Sequence, residues 1–406
     1  MPVSAVKATS YQPEVVKASL DKAFHLLGLD TINPFKELIK PGQQVFIKPN
    51  WVAHRYRASC PSQHDVFTTI THPEVIRAVA RYVDIALQGK GRIIIGDNPS
   101  IDADFPELMK VQQLEQLKDE LDAQLTIVDL RPLVCKDLRD YGKHDKMHHQ
   151  TGDPNGETIV NLGKNSMLYG LNPRLFRGVF NEREETIQAH SGENHLYSIS
   201  NSIFQSDVFI SVPKLKTHHK CGSTLNLKGL VGTMGVKNYL VHWREGFPAI
   251  GGDAYPNFWA WFLDRFKKVK KRGAWSGNDT IWRMVVDLYE VIQRGPSRFF
   301  SVVDGILGGE GNGPFCPKPN ESKVLIAGTD LLETDVIATR LMGFEPERIA
   351  YLKHCLFKQN CRKEDIVFFS DFIHEENFFG TLSAYLDFIP PKNWQCLKIA
   401  AKGIKK

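Results

Sequence analysis

Four short motifs in this 406-residue chain carry side chains able to hold an anion and to move a proton. In IKPNW (47–51), Lys48 supplies a cation, Pro49 fixes a turn, and Asn50 offers amide donors and an acceptor. IGDNPS (95–100) puts Asp97 where an apolar run stops, with Asn98 and Ser100 behind it. That carboxylate suits a metal, a hydroxyl or a proton, and equally an Asx turn capping the next segment. The richest stretch, SVPKLKTHHKCGSTLNLKGLVGTMGVKNYLVH (211–242), sets Lys214, Lys216, Lys220, Lys228 and Lys237 with His218, His219 and His242 among small and apolar residues. A lysine crowded by other cations has a lowered pKa and becomes a usable base, or a nucleophile toward carbonyls. Ser223, Thr224 and the neighbouring glycines Gly222, Gly229, Gly232 and Gly235 leave hydroxyls and N–H groups open, which favours carboxylate or phosphate recognition. In VVDGILGGEGNGP (302–314), Asp304 precedes a glycine-rich run, read as a loop in which Gly309, Gly311 and Asn312 approach a ligand closely. Asp304, Glu310 and Asn312 supply oxygen atoms suited to a hard cation. The run is neither a Walker A loop nor a dinucleotide fingerprint.

These motifs follow short apolar, β-branched runs that alternate with segments of helical period, the pattern of an α/β protein. The strands expected are QVFIK (44–48), RIIIGD (92–97), LTIVDL (125–130), DVFISV (207–212), FFSVVD (299–304), KVLIAG (323–328) and the DIVFFS that ends at 370. Most are apolar throughout, as strands covered on both faces must be. HPEVIRAVARYVDIAL (72–87) puts Val75, Ile76, Val79, Ala80 and Val83 on one stripe and reads as a crossover helix. The expected architecture is two α/β lobes with largely parallel sheets and a crevice at the strand carboxyl ends, where open sheets bind ligands. The lobes are placed at 1–135 and 200–385, with a loop-rich connection at 136–199, a helical insertion at 240–295 and a tail from 386 to 406. His144, His148 and His149 in the connection are expected to be solvated. AGTDLLETDVIATRLMG, with Asp330 and Asp335, reads as an ordinary strand, cap and helix. PNFWAWFLDRFKKVKKRGAW (256–275) has aromatics at helical spacing and a basic end. It can lie on a membrane surface or face a partner, but inward-packed aromatics with snorkelling lysines are the expectation.

Charged residues make up 24% and hydrophobic residues 42% of the chain, so neither a disordered nor a fibrous protein is expected. A net charge of +5 over the whole length is too thin for a dedicated nucleic-acid binder. No run approaches a membrane span, the start lacks the regions of a signal peptide, and a cytoplasmic protein is expected. Seven scattered cysteines with no CxxC pair argue against a disulfide framework, an iron–sulfur module or a zinc ribbon, and reduced thiols are expected.

Taken together, IKPNW, TTITHPEVIRAVARYV, IGDNPS, SDVFISVPKLKTH through LNLKGLVGTMG, VVDGILGGEGNGP and AGTDLLETDVIATRLMGFEPERI resemble the family named domain of unknown function 362, over about residues 47–349. Many members of that family carry a ferredoxin-like iron–sulfur module, and this chain lacks its cysteine clusters. The resemblance therefore implies an α/β unit without an iron–sulfur cluster. A fainter similarity is to lactate racemases with a nickel-pincer cofactor, which have a histidine, a cofactor-bearing lysine and a further histidine in one stretch. His218, Lys228 and His242 occur in that order, and the similarity implies a cofactor on Lys228 with the histidines as base or metal ligand.

The sequence thus predicts an enzyme that binds a small anionic metabolite. Lys48, Asn50, Lys214 and Lys216 neutralise its carboxylate or phosphate, with Ser223, Thr224 and the glycine-run residues as further contacts. His218 is the expected general acid or base, joined in catalysis by Lys216, Asp97 and Lys228. A divalent ion held by Asp304 and Asp97 is the open cofactor. The rival class is an accessory factor that helps a metallocentre or redox enzyme mature by binding a partner protein.

Overall fold

A computed structural model describes residues 2–57, 60–137, 144–178, 183–267, 272–374, 377–381, 383 and 385–399. The α/β class is as expected, and its frame is a single eleven-stranded sheet. Strand Val208–Val212 pairs in parallel with Gln44–Pro49 on one side and with Arg298–Asn312 on the other. The strands assigned to two lobes therefore run on in one sheet. Arg92–Asp97 and Gln124–Asp129 extend it in parallel on the first side. On the second, Val324–Gly328 and Val3–Lys7 add antiparallel pairings, and Phe368–Ser370 closes that edge. Val3–Lys7, with three apolar residues among its five, was not among the expected strands.

Alternation within each strand explains the uninterrupted apolar runs. Val45, Ile47, Ile93, Ile95, Val208 and Ile210 join one core with the helices Pro13–Leu26 and Pro73–Leu87. Phe46, Ile94 and Phe209, one residue out of step, join the other with helices Ile281–Ile292, Leu331–Leu341 and Ala350–Lys358. Helix Pro73–Leu87 begins where it was expected, with His72 Nδ1 accepting from the Glu74 N–H at 3.2 Å. No described helix is long and apolar enough to cross a membrane. The connection at 136–199 carries more strand than its polarity implied: Met147–His149 pairs with Leu133–Cys135, and Glu157–Asn161 with Leu196–Ser200. His148 and His149 are exposed, as expected.

Three expectations are corrected. Cys60 and Cys316 form a disulfide, although reduced thiols were expected. Their separation of 256 residues hides the pair from any reading of local spacing, and only the fold brings the two Cα atoms to 5.4 Å. The glycine-rich run is the outer part of strand Arg298–Asn312, paired with Cys316–Asn320, rather than a loop. Two of its glycines admit neighbouring backbone: a Cβ on Gly309 would lie 2.4 Å from the Thr68 carbonyl oxygen and one on Gly313 would lie 2.0 Å from that of Thr217. Third, the aromatics of 256–275 do not turn inward as a set. Phe258, Trp259, Phe262 and Phe266 are exposed, while residues 268–271 of the basic end lie outside the described residues.

Candidate functional site

The carboxyl ends of the parallel strands open into a cavity of about 1200 Å³. Strand Gln44–Pro49 delivers Lys48, and Arg92–Asp97 delivers Asp97, to the same edge, since Ile47 pairs with Ile95. Their ion pair is 2.8 Å long and buried, and Asp97 also accepts the N–H groups of Trp51 at 2.7 Å and Asn98 at 2.8 Å. Asp97 is thereby committed to holding two turns and a cation. Gly232 completes this corner: a Cβ there would sit 2.1 Å from Asp97 Oδ1 and 2.8 Å from Lys48 Nζ. Asn50 also serves its surroundings, its Nδ2 donating to the Thr69 carbonyl at 3.0 Å.

Strand Lys214–His218 forms another wall. It pairs with the long strand at Lys214↔Asp304 and again at Lys216↔Gly309, so two steps along one strand match five along the other. The bulge separates two lysines that an even strand would point to the same face. Lys214 turns into the interior, where its Nζ meets Asp304 Oδ2 at 2.9 Å and the Tyr11 hydroxyl at 2.9 Å. Asp304 further accepts from the Tyr11 hydroxyl at 2.8 Å and from the His72 N–H at 2.9 Å. Both members of the pair are fully buried and line no part of the cavity.

Lys216, by contrast, lines the cavity, its Nζ donating to the Thr69 carbonyl at 2.5 Å with no carboxylate partner among the described residues. Burial first, and then Lys214 and Lys228 nearby, hold its pKa well below the ordinary lysine value. His218 is pushed well below the usual imidazole range, by burial and then by Lys228. Its Nδ1 accepts the Lys220 N–H at 3.1 Å, so the neutral ring carries its proton on Nε2.

The short helix Leu225–Gly229 carries Lys228. It starts from Leu225 at φ +49°, a conformation that costs a branched residue about 1–2 kcal/mol. Asp335 fixes it there, accepting from the N–H groups of Asn226 at 2.8 Å and Leu227 at 2.9 Å and from Asn226 Nδ2 at 2.8 Å. Asp335, read as ordinary structure, is thus structure that positions a site lysine, and burial raises its pKa to about 8. Lys228 Nζ lines the cavity and has no hydrogen bond or ion pair among the described residues, and burial lowers its pKa. Thr224 Oγ1 and Asn98 Oδ1 are likewise buried in the cavity wall and have no hydrogen-bond partner among the described residues.

Nine of the residues expected at the site line this one cavity: Lys48, Asn50, Asp97, Lys216, His218, Thr224, Lys228, Gly311 and Asn312. Lys214, Ser223, Gly309 and Asp304 do not. Ser223 is buried against Tyr351, hydroxyl to hydroxyl at 2.8 Å. The two carboxylates expected to hold a metal are each spent on a lysine and on N–H donors. Among the described residues, no group of three or more His, Cys, Asp or Glu is arranged to bind a metal ion.

The wall contains more cations than the site reading assigned. Lys220 and Lys237, noted in the motif without a role, have pKa values lowered to about 8 and about 7 by loss of hydration. His242, given a role only through the racemase resemblance, lies well below the imidazole range for the same reason. Arg57 follows the first motif closely enough to have been found by reading on past Trp51. Lys392 comes from the C-terminal tail, where composition gave no signal. In all, seven lysines and two arginines face the two carboxylates Asp97 and Glu310.

Residues 45–151 and 145–340 match the family described as a domain of unknown function, DUF362. A thylakoid-associated protein of Synechocystis sp. is 25% identical over 350 residues, which span 86% of this chain and 76% of that protein. Among solved structures, a protein from Thermotoga maritima is similar at 13% identity and a TM-score of 0.39, over 87% of this chain and 60% of that one. The lactate racemase apoprotein from Thermoanaerobacterium thermosaccharolyticum is similar at 13% identity and a TM-score of 0.31, over 74% of this chain and 50% of that one. Likenesses at those scores carry no inference about chemistry.

Proposed function

This chain belongs to the DUF362 family, and we propose that its cavity is the active site of an enzyme that performs acid–base chemistry on a small carboxylate or phosphate. One observation carries the reading: lysines from separate segments meet in one cavity with few carboxylates to neutralise them. Burial disfavours the charged forms of Lys216 and Lys228, and an anionic substrate is the ligand that would stabilise their protonated forms.

The roles follow from partners. Lys228, unpaired, takes the anionic group of the substrate, with Thr224 Oγ1 and Asn98 Oδ1 supplying the polar contacts that the protein leaves unmade. Lys216, whose pKa burial holds well below the ordinary lysine value, serves in its deprotonated form as the base that accepts a proton from carbon next to a carboxylate. The electron pair moves onto the carboxylate oxygens as the proton leaves, and His218 donates its Nε2–H to that developing charge. This makes His218 a donor, narrower than the acid or base expected from its residue type.

The test is hydrogen exchange. Incubated in D2O with a pool of small 2-hydroxy carboxylates, the protein should exchange the hydrogen on the carbon beside the carboxylate for deuterium in at least one of them. Lys216→Ala and His218→Ala should each abolish that gain and leave the thermal unfolding curve nearly unchanged. Variants that unfold, or that exchange as the wild type does, would make the cluster structural.

A second reading has one observation of its own. His218, Lys228 and His242 line the same cavity, and an unpaired lysine between histidines suits a covalently attached cofactor of the pincer kind. Lys228 would hold such a group, which would supply hydride chemistry, and His218 and His242 would serve as base or metal ligand. Intact-mass measurement separates the readings: a mass added to the wild type and absent from Lys228→Ala selects the second.

A further inference from the structure

We propose that the helix Phe258–Asp264 and the turn after it form a docking face for an anionic lipid surface. The helix has two unlike sides. Ala260 and Trp261 pack on Trp243, Ala254 and Tyr255. Asp264 is buried and accepts from the Tyr255 hydroxyl at 2.6 Å. Asn257 caps the first turn, its side chain accepting from the Ala260 N–H. The element is therefore fixed to the body by its inner side and does not owe its position to the outer one.

The outer side carries Phe258, Trp259, Phe262, Leu263 and Phe266, a single helical stripe, with Trp259 68% and Phe266 76% exposed. Isolated apolar residues at a surface need no explanation, but five large ones on one stripe do. The charge beside them selects the occupant. Arg265 and Lys267 are exposed in the turn that follows the helix, while the neighbouring acid, Asp264, is buried. Arg265 lies over the Trp261 ring at 4.3 Å, which holds a cation at the edge of the stripe. A second copy of this chain would bring the same cations against these. A bilayer with anionic headgroups offers hydrocarbon to the stripe and negative charge to its border, the pairing that holds amphipathic helices in the interface plane. The inner side of the helix, at Ala260 and Asp264, borders a cleft of about 680 Å³ whose wall shares His219, Asn312 and Lys392 with the main cavity.

Flotation of the full-length protein with vesicles tests this. With phosphatidylcholine vesicles containing phosphatidylglycerol, at about 0.1 M salt, the wild type should float; with phosphatidylcholine alone, or at high salt, far less should. Trp259→Ser with Phe266→Ser should cut the floated fraction by about tenfold or more while the unfolding temperature stays that of the wild type. Because the replaced rings are exposed, folding should survive, and Arg265→Glu with Lys267→Glu provides an independent loss that leaves the rings in place. A wild type that stays with the unbound fraction, or serine and glutamate variants that float as it does, would overturn the proposal. So would sedimentation showing a self-associating wild type and a monomeric serine variant, which would make the stripe a contact between copies.

Discussion

Asp304→Ala should destabilise the protein by about 3–5 kcal/mol, the usual consequence of stranding a buried charge. Lys214 and Asp304 are both fully buried, 2.9 Å apart, and the Tyr11 hydroxyl and the His72 N–H complete the carboxylate's shell. Removing the acid leaves an ammonium with one hydroxyl for company. Replacing both partners by apolar residues of similar size, Asp304→Leu with Lys214→Met, should recover a large part of the loss, because the desolvation cost of the pair disappears with it. Urea unfolding of the single and double variants measures both numbers. A single variant within about 0.5 kcal/mol of the wild type, the range of unremarkable surface changes, would show that the pair holds nothing together.

Lys228→Met should have the opposite profile: loss of anion binding with no loss of stability. A charge-assisted contact contributes about 1.5–3 kcal/mol, so affinity for a small anion should fall roughly ten- to 150-fold. Stability should hold or rise. Burial lowers the folded-state pKa of Lys228 below that of the unfolded chain, so the unfolded state binds more protons wherever pH lies between the two values. Below that window the native state carries the full cost of a buried ammonium, and the cost is relieved as pH rises through it. At neutral pH methionine escapes this cost. Calorimetry for binding and thermal melts for stability read the two effects separately; a variant that melts well below the wild type would place Lys228 among the residues that hold the fold.

The contrast between these two lysines marks what the sequence makes legible. The strands, the helix Pro73–Leu87 and the placement of Lys48 and Asp97 at the carboxyl edge follow from periodicity and from where apolar runs stop. The convergence of Lys48, Lys216, His218 and Lys228 follows from the rule that α/β sheets bind at that edge. Lys214 was grouped with them because it belongs to the same lysine-rich stretch, and Asp304 because it ends an apolar run in the same way as Asp97. The register shift that separates Lys214 from Lys216 is a three-residue accommodation in the partner strand, between Asp304 and Gly309, and no property of the lysines themselves encodes it. The disulfide escaped for a related reason, since pairing across 256 residues is fixed by the fold alone. The glycine run misled because glycine serves close backbone approach of any kind, and here the Thr68 carbonyl takes the place given to a ligand. For the aromatic helix, sequence offered both an inward and an outward reading, and only the burial of Asp264 and Trp261's side of it decides between them.

The claim that the cavity is an anion site is tested most directly by calorimetric titration with sulfate and with oxalate, whose charges stay constant above pH 6. The lowered pKa values of Lys237, about 7, and Lys220, about 8, set the sign. An arriving anion favours the protonated forms, so binding should take up protons from buffer near and above pH 7. Affinity should therefore weaken as pH rises through 7 to 8, by up to about tenfold per pH unit for each proton taken up, and Lys228→Met should remove most of it at every pH. Saturable binding with that proton uptake is the predicted result. No saturable heat with either anion, or an affinity indifferent both to pH and to Lys228, would contradict it.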